Sequence, residues 1–261
     1  KLMQEVGIEL TLSTKVEKIR SKNGICSHVV LSNGTTKEVD IVISNVDPSY
    51  MYEHMIEQSN INTFLRLKKQ KSKSSMGLYV LYFGTNKRYE SVKHHTILMG
   101  KDYKKTLDEI FKEKVIPTDL SLYLHRPTAT DNTIAPAGKD AFYCLCPVPN
   151  LSGNIDWDTQ QELLKTRVIE KLEKYLLPDL SQNIDVMFHK TPVDFREEHN
   201  AYLGSGFTIS PTLLQSAWFR YHNKAEGFHN LFLAGAGTHP GAGLPGVVSS
   251  AKVVEKLLDT V

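Results

Sequence analysis

Five glycines stand within twelve residues near the end of the sequence, in the run Gly235-Ala236-Gly237-Thr238-His239-Pro240-Gly241-Ala242-Gly243-Leu244-Pro245-Gly246. Glycine lacks the Cβ that keeps a ligand away from the backbone, and it enters left-handed conformations at little steric cost. The short apolar run Asn230-Leu231-Phe232-Leu233-Ala234 precedes the glycines, and Val247, Ala251, Val254 and Leu258 follow on one face of a predicted helix over 247–261. A strand, a glycine turn and a helix in direct succession offer free N–H groups and a positive dipole end, which suit an anionic or electron-rich ligand. Pro245 fits a first helical turn, where its missing N–H costs nothing.

Known phosphate motifs match this run incompletely. Gly241, Gly243 and Gly246 satisfy G-x-G-x-x-G, but a nucleotide fingerprint expects an acidic residue about 20 positions on. The sequence runs only 15 residues past Gly246. Gly235 and Gly237 follow the strand correctly, yet Pro240 occupies the last glycine position. A P-loop requires Gly-Lys-Ser/Thr, and Lys252 follows Ala251. The turn is therefore neither a complete dinucleotide fingerprint nor a P-loop.

Other polar groups carry less. His239 reads as a cap of the turn or a ligand contact able to relay a proton, the first being preferred. Arg126 and Arg196 read as buried partners in an ion pair rather than as lining for a substrate channel. His94-His95 lacks a third ligand at metal spacing and Cys144-x-Cys146 lacks a second pair, so no metal site is expected. Ser205, in Gly204-Ser205-Gly206, lacks the nucleophile-elbow pattern of a hydrolase.

The elements that must position these groups show two periodicities. Gly7 follows what reads as the last turns of a helix over 1–6, and Ile8, Leu10 and Leu12 alternate as a half-buried strand. Val16 and Ile19 continue the extended character, 28–31 reads as a second strand, and Asn33-Gly34 marks a hairpin with Val39, Ile41 and Ile43 returning. Asn45, Asp47 and Pro48 punctuate the end of this β unit. Beyond it, 78–83, 120–125, 142–146 and 186–189 read as strands, and 103–111 and 160–177 as helices. The second helix is capped by Asp158, carries Leu164, Val168, Leu172 and Leu176 on one face, and stops at Pro178. The polar, basic stretch 68–75 reads as a solvated loop. The fold class is mixed α/β, or α+β.

Composition bounds the function. The 261 residues hold 31 Lys+Arg against 29 Asp+Glu, and 41% are hydrophobic. That is a globular composition with no long basic tract or Arg-rich helix, so nucleic acid is not an expected partner. Three cysteines form no disulfide framework and fit buried thiols in a reducing compartment. No apolar run reaches the roughly 20 residues of a membrane span. A sequence opening on Lys1 reads as part of a longer protein.

The run from Asn230 to Val247 resembles the C-terminal flavin-contacting signature of the bacterial-type phytoene desaturases, FAD-dependent carotenoid desaturases. Further stretches agree in order: 80–87 (VLYFGTNK), His94-His95-Thr96, 121–130 (SLYLHRPTAT), Pro147-Val148-Pro149, Asp156-Trp157, 191–196 (TPVDFR) and 215–220 (QSAWFR). The resemblance covers the chain from about residue 80 to its end, and the opening β unit also fits.

The resemblance implies part of an FAD-binding domain of the two-dinucleotide-binding type, interrupted by a β-sheet substrate domain. The expected division is a β unit at 1–47, a substrate domain over 48–228 and a closing strand-turn-helix over 229–261. It implies flavin contacts at Gly235, Ala236, Gly237, Gly243, Leu244, Pro245, Gly246 and Val247. Val16 is the candidate beside the adenine. The implied substrate is a long apolar isoprenoid such as phytoene, from which flavin accepts a hydride. Cytoplasmic, peripheral attachment to the membrane holding that substrate is implied too. A carotenoid isomerase or saturase, or a dehydrosqualene desaturase, would share the flavin site. A non-catalytic substrate-domain module is the alternative outside enzymes.

Overall fold

The computed structural model describes residues 1–259, apart from the side chains of Gln58 and Phe64. The chain forms two compact units, Lys1–Ser72 with the segment from Pro211 onward, and Lys73–Ser210. In chain order the first unit holds α1 (Leu2–Glu5), β1 (Val16–Lys22), β2 (Ile25–Leu31), β3 (Thr36–Glu38), β4 (Val42–Ser44), α2 (Pro48–Tyr50) and α3 (Thr63–Lys71). The second unit holds β5 (Gly77–Thr85), β6 (His95–Leu98), α4 (Tyr103–Asp108), β7 (Leu122–His125), β8 (Asp140–Val148), α5 (Trp157–Tyr175), α6 (Leu180–Asn183), β9 (Ile184–Lys190) and α7 (Pro192–His199). The chain then returns to the first unit with β10 (Leu231–Leu233) and α8 (Leu244–Leu258). Residues 48–72 and 211–228, expected with the substrate domain, pack in the first unit, so its boundaries differ from those expected. The architecture is mixed α/β.

In the first unit two Asn-Gly turns build an antiparallel sheet of order β1-β2-β3. Asn23 and Gly24 have φ of 53° and 76°, the pair of left-handed residues that a tight hairpin demands. At the second turn Gly34 has φ 81°, and the Asn33 carboxamide accepts from the Thr35 N–H at 3.0 Å and the Thr35 hydroxyl at 2.7 Å. The returning strand is shorter than expected: Thr36–Glu38 pairs with β2, whereas Val42–Ser44 leaves to pair in parallel with β10. Asn230 holds the junction, accepting from the Cys26 N–H at 2.7 Å and donating to the carbonyls of Cys26 (2.8 Å) and Asp40 (2.6 Å).

Two further expectations fail here. Ile8, Leu10 and Leu12 alternate, yet they are exposed and form no strand, because no neighbouring edge pairs with them among the described residues. The stretch 68–75 is not a solvated loop: its first half ends α3, capped by the Asn62 side chain on the Leu65 N–H at 2.8 Å. Lys68 is drawn inward to Glu226 at 2.6 Å and lies over the Tyr221 ring.

The second unit is a five-stranded antiparallel sheet of order β6-β7-β8-β5-β9. Strict alternation along β7 and β8 sends Leu122, Leu124, Phe142, Cys144, Cys146 and Val148 to one face, where Trp157, Leu164, Val168 and Leu172 of α5 complete the core. Asp156, not Asp158, caps α5, accepting from the Asp158 N–H at 3.1 Å and the Thr159 hydroxyl at 3.0 Å. Cys144 and Cys146 are buried free thiols, and burial pushes Cys146 up to about 12. No helix among the described residues is long and apolar enough to cross a membrane.

Candidate functional site

The glycine turn lies between β10, wholly buried, and α8, which begins at Leu244, three residues before the expected start. Thr260 and Val261, within the predicted helix, lie outside the described residues. The face of α8 that packs inward carries Ser250 and Val254; Ala251, expected there, is exposed. Ser250 explains the shift, because its hydroxyl accepts from the Gly235 N–H at 2.7 Å and donates to the Val247 carbonyl at 2.5 Å, tying turn to helix.

Gly235, Gly241 and Gly243 have φ of 114°, 137° and 99°, which side-chain-bearing residues rarely adopt. A Cβ on Gly246 would lie 2.7 Å from the Gly241 carbonyl oxygen, whereas one on Gly243 would meet nothing within 4 Å. The turn thus packs tightly against the helix at Gly246 and leaves open space at Gly243. Among the described residues no side chain caps the N-terminus of α8, and Leu244 and Pro245 stand exposed beside it. Ala236, Gly237 and Val247 belong to the same cradle, Gly237 buried and the other two partly so. Val16 heads β1 in the three-stranded sheet, where it pairs with Leu31. His239 is exposed and donates its backbone N–H to the Tyr221 carbonyl at 3.2 Å.

Arg220, to which sequence reasoning assigns no role, braces the turn from below. It is 4% exposed; its Nε donates to the Thr238 carbonyl at 2.9 Å and its Nη2 to the Ala236 carbonyl at 2.5 Å. Burial lowers its hold on the proton and the Asp47 carboxylate opposes that. Asn223 adds hydrogen bonds to the Leu233 carbonyl (3.1 Å) and the Thr238 hydroxyl (3.2 Å). The one sequence signal is an arginine in the QSAWFR stretch, but its partners are turn carbonyls 16 and 18 residues away.

The sheet of the second unit has an open face, crossed by one row of rings. Register sets His95 of β6 opposite His125 of β7, His125 opposite Tyr143 of β8, Tyr143 opposite Tyr82 of β5 and Tyr82 opposite Phe188 of β9. Successive ring centroids lie 5.3, 4.6, 6.0 and 4.8 Å apart. Tyr82, Ile134, Ala141, Val186 and Phe188 line an apolar hollow of about 350 Å³. At the other end of the row, His94 joins His95 and His125, giving the third ring that linear spacing does not reveal.

The arginines resolve as structural groups. Arg126, 2% exposed, forks onto Asp140 at 2.9 and 3.1 Å and donates to the Val92 carbonyl at 2.9 Å. Arg196, expected to be buried, is instead exposed beside its neighbour Glu197 at 3.1 Å, because its partner is itself exposed.

A family model described as flavin-containing amine oxidoreductase matches residues 1–254. The chain belongs to that family. FAD is its cofactor, and the cradle fits such a group: it has a close-packed glycine turn, an uncapped helix start and unfilled space over Gly243. The chain is 39% identical, over 99% of its length, to a neurosporene-forming phytoene desaturase from Rhodobacter capsulatus, of which it covers 50%. It is also 39% identical, over 99% of its length, to a lycopene-forming phytoene desaturase from Pantoea ananas, of which it covers 53%. It thus spans about half the length of these relatives. An oxidoreductase from Methanosarcina mazei shares the fold with a TM-score of 0.65 at 14% identity, covering 98% of this chain and 51% of that one.

Proposed function

We propose that this chain is the C-terminal part of an FAD-dependent desaturase that introduces double bonds into phytoene, a long apolar isoprenoid. The observation that carries the reading is the 39% identity to two phytoene desaturases along nearly the whole chain. Bound flavin supplies the hydride acceptor that such C–C oxidation requires.

In this reading Gly235, Ala236, Gly237, Gly243, Leu244, Pro245, Gly246 and Val247 would hold the flavin, and the start of α8 would supply free N–H groups and a positive dipole end suited to negative charge. Val16 lies beside the adenine. The first unit is the FAD-binding part and the second the substrate domain. The open row of His125, Tyr143, Tyr82 and Phe188 supports the substrate assignment, since aromatic faces bury apolar chain without leaving polar groups unpaired.

Peripheral attachment to the membrane that holds the substrate completes the proposal. Leu213, Leu214, Trp218 and Phe219 support it, standing 86%, 74%, 77% and 56% exposed within one short segment.

The test is expression of the full-length protein in cells that accumulate phytoene, followed by the absorption spectrum of the extracted pigments. New structured bands at long wavelength are expected. An unchanged spectrum with flavin-bearing protein present would overturn the substrate assignment.

A further inference from the structure

We propose that His94, His95 and His125 form a binding site for a divalent first-row transition metal ion of the zinc or nickel type. One ring nitrogen from each residue lies within 4.8 Å of the other two. The topology creates the group: His95 and His125 are register partners across β6 and β7, and His94 immediately precedes β6. The centroid of the His94 ring lies 4.4 Å from that of His95 and 4.7 Å from that of His125.

The hydrogen bonds around the rings favour ligation. His94 Nδ1 is 2.5 Å from the Thr130 hydroxyl and His95 Nδ1 is 2.7 Å from the Tyr123 hydroxyl. Partners of this kind hold a ligating imidazole in place and leave its Nε2 free for metal. His94 Nε2 and His125 Nε2 face each other at 2.8 Å, while His125 Nδ1 is buried without a hydrogen-bond partner among the described residues. The tautomer that orphans no N–H puts the proton on His125 Nε2, which donates to His94 Nε2, and leaves His125 Nδ1 as an unfilled lone pair. The cluster therefore has more acceptor capacity than the protein fills.

The donor set selects the ion. Three neutral imidazoles without carboxylate or thiolate suit zinc, nickel or copper(II) rather than calcium or magnesium. His95 is exposed, so solvent can complete a fourth position. For tetrahedral Zn–N bonds of about 2.1 Å the two facing nitrogens must part by about 0.6 Å. The ion would fasten the outer strand β6 to β7 at the end of the aromatic row.

The test uses full-length protein without a polyhistidine tag, stripped with chelator, dialysed and titrated with Zn²⁺ or Ni²⁺ by calorimetry. Retained metal is then counted by mass spectrometry after gel filtration. Close to one ion per chain is expected, with a rise in Tm on metal addition, because only the folded chain assembles the site. His95→Ala removes an exposed side chain and should leave the fold intact while weakening binding at least tenfold; His125→Gln should do the same. Absence of stoichiometric binding would overturn the proposal, as would undiminished binding in a folded His95→Ala/His125→Gln protein.

Discussion

Gly246 faces the carbonyl of Gly241 so closely that a Cβ would lie 2.7 Å from its oxygen. The two glycines, five residues apart, clamp the end of the turn onto the first turn of α8. Any side chain at 246 must displace backbone rather than the tip of a flexible side chain.

Gly246→Val should therefore push the turn off the helix start. Overpacking of this kind costs about 1–3 kcal/mol, which corresponds to a loss of roughly 5- to 150-fold in flavin affinity if it falls on the cradle. The flavin-to-protein absorbance ratio of purified protein measures it, with circular dichroism confirming the fold. Full flavin occupancy in the folded variant would rule out this turn as the flavin cradle.

Arg220 is the second determinant. Its charge-assisted hydrogen bond to Thr238 is buried and that to Ala236 partly so, and Arg220→Ala leaves both carbonyls without that donor. A loss of about 3 kcal/mol is expected, since each such bond contributes roughly 1.5–3 kcal/mol and buried unsatisfied acceptors add a penalty. Arg220→Lys should restore less than half, because an ammonium cannot reproduce the planar fork. Urea unfolding measures both, and a deficit under about 1 kcal/mol in the alanine variant would contradict the bracing role.

Leu213, Leu214 and Trp218 should carry lipid attachment. Liposome flotation is expected to bring the full-length protein up with the vesicles and to leave a Leu213→Ser/Leu214→Ser/Trp218→Ser variant in the dense layer. Removing apolar area worth roughly 25 cal/mol per Å² from the contact accounts for that direction. Equal flotation of the two proteins would place the contact elsewhere.

Local features are legible in the residues alone. The glycines between an apolar run and a helical repeat announce the strand-turn-helix of 231–258, and Leu164, Val168 and Leu172 announce the buried face of α5. Asn33-Gly34 marks a true turn, while Asn23-Gly24, which the sequence reading passes over, forms a second one of the same residue types. Each is a property of backbone preference or side-chain period, both set by neighbours in the chain.

Partnership is not legible in that way. Ile41 and Ile43 look like a hairpin return, yet β4 finds its partner in β10, nearly two hundred residues on, while the equally alternating Ile8, Leu10 and Leu12 find none among the described residues. Lys68 sits in a basic stretch and is drawn inward by Glu226. Family resemblance points to the glycine turn, but Arg220 beneath it and His125 beside His94 and His95 emerge only when strands take their order and register. By itself the sequence determined where the backbone turns, which faces are apolar and to which flavoproteins the chain is related. The tertiary structure decided which edges pair and which polar groups meet, because those choices depend on satisfying buried donors and acceptors across the whole fold.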